Sequence, residues 1–365
     1  MVSLKKCNIK QLQTEIANKE CYCFGSGDQA ELFFVKHEEL LDYVKGFIDN
    51  DEKKAGCLKK ILGREIPIYS FKQLENMRKQ NTVVITTSMY WTQMIDQMDM
   101  SIKLNQLPCY VDIIIESQKN ADDMFVLKNN GTAQIPKVIH YCWFGKGEMP
   151  QAFRKNIATW KKYCRDYEIV QWDESNYDIS KCSYMVHAYQ ARKWAFVSDY
   201  ARLDILNQYG GIYLDTDVEM LKPFDIFLGN RMFFGFEQNQ CIGSGLGCGS
   251  VKKQKLLQDM MQLYHDNVEE EDIPKTAYAP LFQTMIMKKM GFCLDGTYQK
   301  RNGIALYPSE VFSPKNLWSE EVVLTEKTYT IHHYSSTWWN KQAADNIDQM
   351  RIKLQSYLNR MEKEA

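Results

Sequence analysis

Lys193–Met220 reads KWAFVSDYARLDILNQYGGIYLDTDVEM. Phe196, Leu203 and Leu206, with Tyr200 and Ile205 nearby, give a broad apolar face at helical spacing. Gly210-Gly211 marks where a helix ends in a left-handed residue and the chain reverses. Ile212, Tyr213 and Leu214 are β-formers, and so short an apolar run fits a central strand. Asp215-Thr216-Asp217 follows. Read as the end of that strand, it turns Asp215 and Asp217 to one side and Thr216 to the other. Carboxylates side by side repel, and an apolar setting raises the cost of keeping both ionised. A divalent cation removes that conflict. Oxygen ligands suit Mg²⁺ or Mn²⁺, ions that often bridge carboxylates to a nucleotide diphosphate. A bare D-x-D also describes an Asp-rich strand end turning into solvent.

On both sides of this stretch the pattern stays α/β. Val138–Cys142 reads as a strand ending in Trp143-Phe144-Gly145, Ala152–Tyr163 as a helix, and Tyr167–Trp172 as a strand. After the D-x-D come an apolar strand at Arg231–Phe236, the glycine-rich Cys241–Ser250 and a helix at Lys252–Tyr264. No Gly-Lys-Ser/Thr follows the glycines, so this is not a Walker loop. Lys341–Ala365 reads as an exposed amphipathic helix. In the first half, strands at Glu20–Phe24, Gly46–Asp49, Ile66–Tyr69, Thr82–Thr86 and Tyr110–Ile115 alternate with helices, which implies a mostly parallel sheet. The polar run 128–134 reads as a linker. The expected division is a Rossmann-like domain over residues 1–131 and a larger α/β domain over 132–365.

Gly25-x-Gly27-x-x-Ala30 has the form of a dinucleotide fingerprint, with Asp49 or Asp51 at the ribose position. Asp28, however, sets a negative charge beside the would-be phosphate, which favours a degenerate scaffold.

The ordered pattern Ser198-Asp199-x-x-Arg202, Gly210-Gly211, Tyr213-Leu214-Asp215-x-Asp217 and Pro223 resembles the core motif of the DXD-type glycosyltransferases of family 32, relatives of the large glucosylating toxins. Weaker likeness runs from about Ile135 to Trp339. The first half resembles the small Rossmann-like modules attached to bacterial polysaccharide-biosynthesis enzymes, through FGSG, FIDND, IPIYS and VVITTS. The resemblance implies a GT-A-type nucleotide-sugar-binding domain and a hexosyltransferase that retains anomeric configuration. Its donor would be a nucleotide-diphosphate sugar, a UDP-sugar favoured, with Mn²⁺ or Mg²⁺ as cofactor. Its acceptor would be a saccharide or glycolipid in capsule or other surface polysaccharide synthesis.

The resemblance also implies roles for particular residues. Trp143 would stack on the nucleobase; the plain alternative is a core or domain-interface tryptophan. Asp217 would bind the metal directly, and Asp215 would bridge to the ribose or the metal's water shell. Arg202 would contact sugar and phosphate, with Asp199 on the same helix face; the alternative is an ordinary helix ion pair. His333 and Ser336 would complete the metal shell and Trp338 would reach the diphosphate, although the toxins carry a carboxylate where His333 stands. The alternative there is a solvated histidine pair beside a surface aromatic cluster. Ala279-Pro280 with Thr284 resembles the family's G-P-x-x-x-T, alanine replacing glycine.

Bulk properties narrow the classes. A chain of 365 residues suits two domains. A net charge of −1 gives no electrostatic footprint for nucleic acid. Eleven cysteines at irregular spacings, with no secretory segment, read as reduced thiols of a cytoplasmic protein. Cys21-x-Cys23 lacks zinc-knuckle spacing and reads as core. No apolar run reaches the roughly 18 residues of a membrane span, so the expectation is a cytoplasmic enzyme, compatible with peripheral work at the inner membrane face. Two other functions fit parts of the sequence: an NAD(P)-binding oxidoreductase or sensor built on the Gly-x-Gly turn, and a non-catalytic carbohydrate-binding protein.

Overall fold

The structure is a computed structural model that describes residues 1–117, 125–128, 131–267, 278–335 and 341–364. The chain forms two compact units, Met1–Ala121 with Ala344–Ala365, and Asp122–Ala343. Each has an α/β fold, as expected.

The first unit holds strands β1 (Ser3–Lys5), β2 (Glu20–Phe24), β3 (Val44–Asp49), β4 (Leu58–Ile61), β5 (Arg64–Ser70), β6 (Thr82–Thr86) and β7 (Pro108–Val111). Their order is β1-β7-β6-β2-β3-β5-β4. All neighbours are parallel except β4 on β5. The β-branched TVVIT of β6 is buried throughout, as a central parallel strand must be. Cys21 and Cys23 are core thiols whose pKa values burial pushes up. The strand order reverses between β2 and β6, and there Gly25 (φ 111°) passes so close to Thr87 that a Cβ would lie 2.6 Å from its carbonyl oxygen. Asp49, one of the two candidate ribose acids, is engaged by Ser26 Oγ and by Lys54 Nζ at 2.9 Å.

The helix Asp28–Lys36 is followed by a 3-10 turn, Glu38–Tyr43, that leads into β3. Two expectations shift in this unit. The strand expected over Tyr110–Ile115 ends at Val111, where Asp112–Ser117 turns helical. Asp112 Oδ1 accepts the Ile113 N–H at 2.8 Å, a local bond that opens a turn in an apolar run readable either way. The C-terminal helix Lys341–Glu364 is not simply exposed: Ile347, Met350 and Leu354 are buried at helical spacing, and Tyr357 meets Trp91 at 5.6 Å.

The second unit holds β8 (Val138–Cys142), β9 (Glu168–Trp172), β10 (Gly211–Tyr213), β11 (Val218–Met220), β12 (Met232–Phe236), β13 (Ile242–Gly243), β14 (Cys248–Ser250), β15 (Gln299–Arg301), β16 (Ile304–Tyr307) and β17 (Thr330–His332). Its main sheet runs β15-β16-β12-β14-β10-β8-β9, with β13 added on β12. β8, β9 and β10 are parallel to one another, as are β12 and β16, and β14 runs antiparallel between β10 and β12. The sheet is therefore mixed, with parallel and antiparallel neighbours. A separate antiparallel pair joins β11 to β17.

The helix Trp194–Tyr209 is buried all round from Phe196 to Leu206, more than a single apolar face would give. Its buried acid Asp204 is paired. Asp204 accepts from Tyr177 Oη at 2.8 Å and from Lys181 Nζ at 2.7 Å. Gly211 (φ 99°) follows it, and a Cβ there would lie 2.7 Å from the Val138 carbonyl oxygen. Only glycine lets the helix hand over to β10 so close to β8.

Candidate active site

Three strands of the second unit end at one cavity. β8 runs into Trp143, β10 into Asp215 and β12 into Glu237, and all three residues line a space of about 530 Å³. Ligands of open α/β sheets bind beyond the carboxyl ends of strands, so the topology alone selects this place.

Asp215-Thr216-Asp217 is not part of a strand. It is the turn between β10 and β11, closed by the Val218 N–H on the Asp215 carbonyl at 3.0 Å. The two carboxylates converge because the chain turns, not because side chains alternate. Asp215 donates its N–H to the Gly245 carbonyl at 2.8 Å. Its carboxylate accepts from Arg202 Nη2 at 3.1 Å and from Tyr213 Oη at 3.0 Å.

Arg202 and Asp199 share the buried helix, with Arg202 Nη2 at 3.2 Å from Asp199 Oδ1. Arg202 therefore holds two carboxylates, one on its own helix and one in the D-x-D turn. Burial pushes Asp199 up to about 7; Arg202 opposes the rise and Asp215 adds to it. Trp143 is half-buried at the cavity wall, its Nε1–H donating to the Gly147 carbonyl at 2.7 Å and its ring edge-to-face with Phe153 at 5.8 Å. Trp143, Asp199, Arg202, Asp215 and Asp217 thus all meet at the cavity.

The histidine assignment needs correction. His332 meets Asp217, with Nε2 at 3.2 Å from Oδ1, while His333 Nε2 turns to Glu219 Oε2 at 3.0 Å and is half-exposed. The reason is strand geometry. β17 pairs with β11 in the register Val218 to His332, and successive side chains point to opposite faces. Backbone contacts tie the same segment down: His333 N–H donates to the Asp217 carbonyl at 3.0 Å and Ser335 N–H to Asp217 Oδ2 at 2.8 Å. Ser336 and Trp338 lie outside the described residues.

Burial alone would raise the Asp217 pKa, but His332 and the Ser335 N–H hold it down at about 2. Burial works against a charge on His332, yet Asp217 raises its pKa above the ordinary histidine value. Among the described residues, Asp215, Asp217 and His332 bring one ligand atom each within 4.8 Å of one another. His332 Nδ1 is buried without a partner. Two carboxylates and an imidazole are a donor set that suits Mn²⁺ better than the oxygen-seeking Mg²⁺, so the residues fit a Mn²⁺-class cation.

Sequence reading also passed over Gly245. A Cβ there would lie 1.8 Å from Asp215 Oδ2, so the glycine is what admits the carboxylate. The glycine-rich run was visible; which of its glycines faced the D-x-D was not, because that depends on β14 folding back between β10 and β12.

Residues 150–234 match the family described as a glycosyltransferase sugar-binding region containing a DXD motif. The resemblance read from the sequence is borne out over that segment. Two curated proteins of Schizosaccharomyces pombe are similar. Inositol phosphoceramide mannosyltransferase 3 is 33% identical over 113 residues, 29% of this chain and 32% of that protein. Inositol phosphoceramide mannosyltransferase 1 is 28% identical over 109 residues, 27% of this chain and 33% of that protein. The chain thus matches about a third of the length of these relatives. Among solved structures, the PaToxG glycosyltransferase aligns with a TM-score of 0.34 and 18% identity, over 43% of this chain and 69% of that one. A glycosyltransferase involved in glycosylation of the major capsid of PBCV-1 aligns with a TM-score of 0.33 and 12% identity, over 59% of this chain and 99% of that one. Among the described residues no helix is long and apolar enough to cross a membrane.

Proposed function

We propose that this chain is a metal-dependent glycosyltransferase that moves a hexose from a nucleotide-diphosphate sugar to a saccharide or glycolipid acceptor. The observation that carries the reading is the convergence of Asp215, Asp217 and His332 at a cavity that Arg202 also lines, within a D-x-D segment of glycosyltransferase type. Asp217, Asp215 and His332 would hold Mn²⁺ or Mg²⁺, which when bound neutralises charge on the departing nucleotide diphosphate. Arg202 supplies a fork of donors on the same side of the cavity, already oriented by Asp199 and Asp215. Trp143 offers an aromatic wall, fixed by its bond to Gly147, for the base to stack on. A UDP-sugar remains the favoured donor. The relatives' names bring mannosyl donors into consideration and support a glycolipid acceptor. A role in capsule or other surface polysaccharide synthesis, at the cytoplasmic face of a membrane, belongs to the same proposal.

The test is a panel of nucleotide sugars with the full chain, with and without Mn²⁺, reading release of nucleoside diphosphate. Release from at least one donor that depends on Mn²⁺ and stops with chelator is expected. No release from any donor, with NAD(H) binding instead, would replace this reading with the dinucleotide one.

A further inference from the structure

The outer face of one helix has no part in the scheme above. The helix Gln151–Tyr163 follows β8, and Pro150 and Phe153 at its start line the cavity. Phe153, Ile157 and Trp160 are buried beneath it. Three bonds tie it to the D-x-D turn and to β11. Asn156 Nδ2 donates to the Thr216 carbonyl at 3.0 Å, Trp160 Nε1 donates to the Val218 carbonyl at 2.8 Å, and Thr159 Oγ1 accepts the Met220 N–H at 2.9 Å. Whatever holds this helix from outside therefore also holds the turn that carries Asp215 and Asp217.

Outward stand Arg154, Lys155, Lys161 and Lys162, all exposed. The two pairs are seven residues apart, so they lie two turns apart on one side and cover about a third of the circumference. The helix contains no acidic residue to interrupt them, and Arg165 just beyond it extends the row. Arg154 pairs with Glu148 on the cavity rim. Asp166, the next acid along the chain, is held by Lys137 at 2.6 Å. The whole chain carries a net charge of −1, so this row is a local concentration and not the by-product of a basic protein.

Shape and chemistry say what such a face fits. It is the convex side of a helix about 20 Å long, which a plane can touch along its whole length, whereas a flexible polyanion is ordinarily held in a groove. Three of its four cations are lysines, compact charges on long mobile stems, which suit many loosely placed phosphates better than one fixed anion. We propose that the outer face of Gln151–Tyr163 docks on an anionic lipid bilayer and holds the cavity rim at headgroup level. Such binding is peripheral and reversible, since it uses charge alone. That it brings a lipid-linked acceptor to the cavity rests on the glycosyltransferase reading; the docking itself does not.

The experiment sediments the full chain with vesicles of phosphatidylcholine alone and of phosphatidylcholine mixed with phosphatidylglycerol. The parent should bind the mixed vesicles only, and less as salt rises. Lys155→Gln, Lys161→Gln and Lys162→Gln combined should weaken that binding about 100-fold. Lys252→Gln, Lys253→Gln and Lys255→Gln combined remove as much charge from exposed positions elsewhere in the second unit, and should leave it within about threefold. An unchanged melting temperature shows both variants folded. A parent that ignores the mixed vesicles, or equal losses in the two variants, overturns the docking face. Retention of the parent on immobilised dextran sulfate, with no binding to mixed vesicles, assigns the face to an anionic polysaccharide and also overturns the proposal. Release of nucleoside diphosphate from a soluble donor should agree within about twofold between the parent and both variants. A parent that releases none from any donor removes the glycosyltransferase reading and leaves the vesicle result to decide the docking face.

Discussion

Asp217 faces His332, accepts the Ser335 N–H and sits beside Asp215. Asp217→Asn keeps an acceptor for Ser335 and the shape of the turn but removes the charge a cation needs. Its Mn²⁺-dependent turnover should fall by about 10²-fold or more, the scale on which losing one strong electrostatic stabiliser acts, with thermal stability near that of the parent. Near-parent turnover at saturating Mn²⁺ would remove Asp217 from the reaction. The two histidines make a sharper comparison, since they adjoin in sequence and part in space. His332→Ala should raise the Mn²⁺ concentration needed for half-maximal activity by at least about tenfold. His333→Ala should move it little, because its partner Glu219 stands apart from the three converging ligands. Equal Mn²⁺ requirements in the two variants would contradict the placement.

At the scale of elements, the turn after β10 and the loop after β13 set the carboxylates, while β17, β8 and the helix Trp194–Tyr209 bring His332, Trp143 and Arg202 to them. Gly245→Ala tests that directly. A methyl at 1.8 Å from Asp215 Oδ2 must move the carboxylate or the loop, so metal-dependent activity should be lost while the fold survives at a cost of about 1–3 kcal/mol. Activity equal to the parent's would mean that Asp215 need not stand where it does. The same contrast explains what was legible beforehand. β8, the Trp194–Tyr209 helix and the Gly210-Gly211 reversal follow from local pattern, and with them the position of Trp143, Arg202 and Asp215. His332 was within reach too: alternation along Thr330–His332 separates it from His333 once one strand face is assigned. Gly245 was not, because the roughly 30 residues between it and Asp215 are closed only by the sheet. A pH signature belongs to this scale as well. His140 on β8 donates from Nε2 to the Gly210 carbonyl at 2.9 Å, and its Nδ1 accepts from Trp172 Nε1–H at 3.2 Å. Burial holds its pKa down at about 4, the Gly210 carbonyl pulling the other way, against an ordinary 6.5. The unfolded chain therefore binds the proton first as pH falls. Stability is complete above about 6.5, declines towards pH 4 and gains no further penalty below, a loss of up to about 3 kcal/mol. Urea unfolding at pH 7 and pH 4 should show this loss in the parent and a smaller one in His140→Gln. Equal losses would show that His140 is not the group responsible.

At the scale of the whole molecule, the chain ends where it began: Ala344–Ala365 completes the unit that Met1–Ala121 starts. A cut in the polar run near Gly131 would therefore not cleanly divide the protein, since the C-terminal helix would leave its unit. In that helix Ile347, Met350 and Leu354 are buried, Tyr357 packs on the fully buried Trp91, and both Lys353 and Tyr357 reach Asp96. Ending the chain at Ala343 strips these contacts from the first unit and leaves every residue of the proposed site in place. At about 1.5–3 kcal/mol for each buried apolar side chain, three of them alone represent roughly 5 kcal/mol or more, a large part of the stability of a domain this size. Calorimetry on the truncated chain should show the first unit melting many degrees lower or not at all. Titration with a nucleoside diphosphate and Mn²⁺ should still shift a remaining transition upward, because every residue of the proposed site lies within Asp122–Ala343. If truncation left the melting profile unchanged, the helix would contribute nothing to the first unit. If it abolished the ligand-dependent shift while a folded transition persisted, the proposed site would depend on the C-terminal helix, and the assignment of binding to the second unit alone would fall.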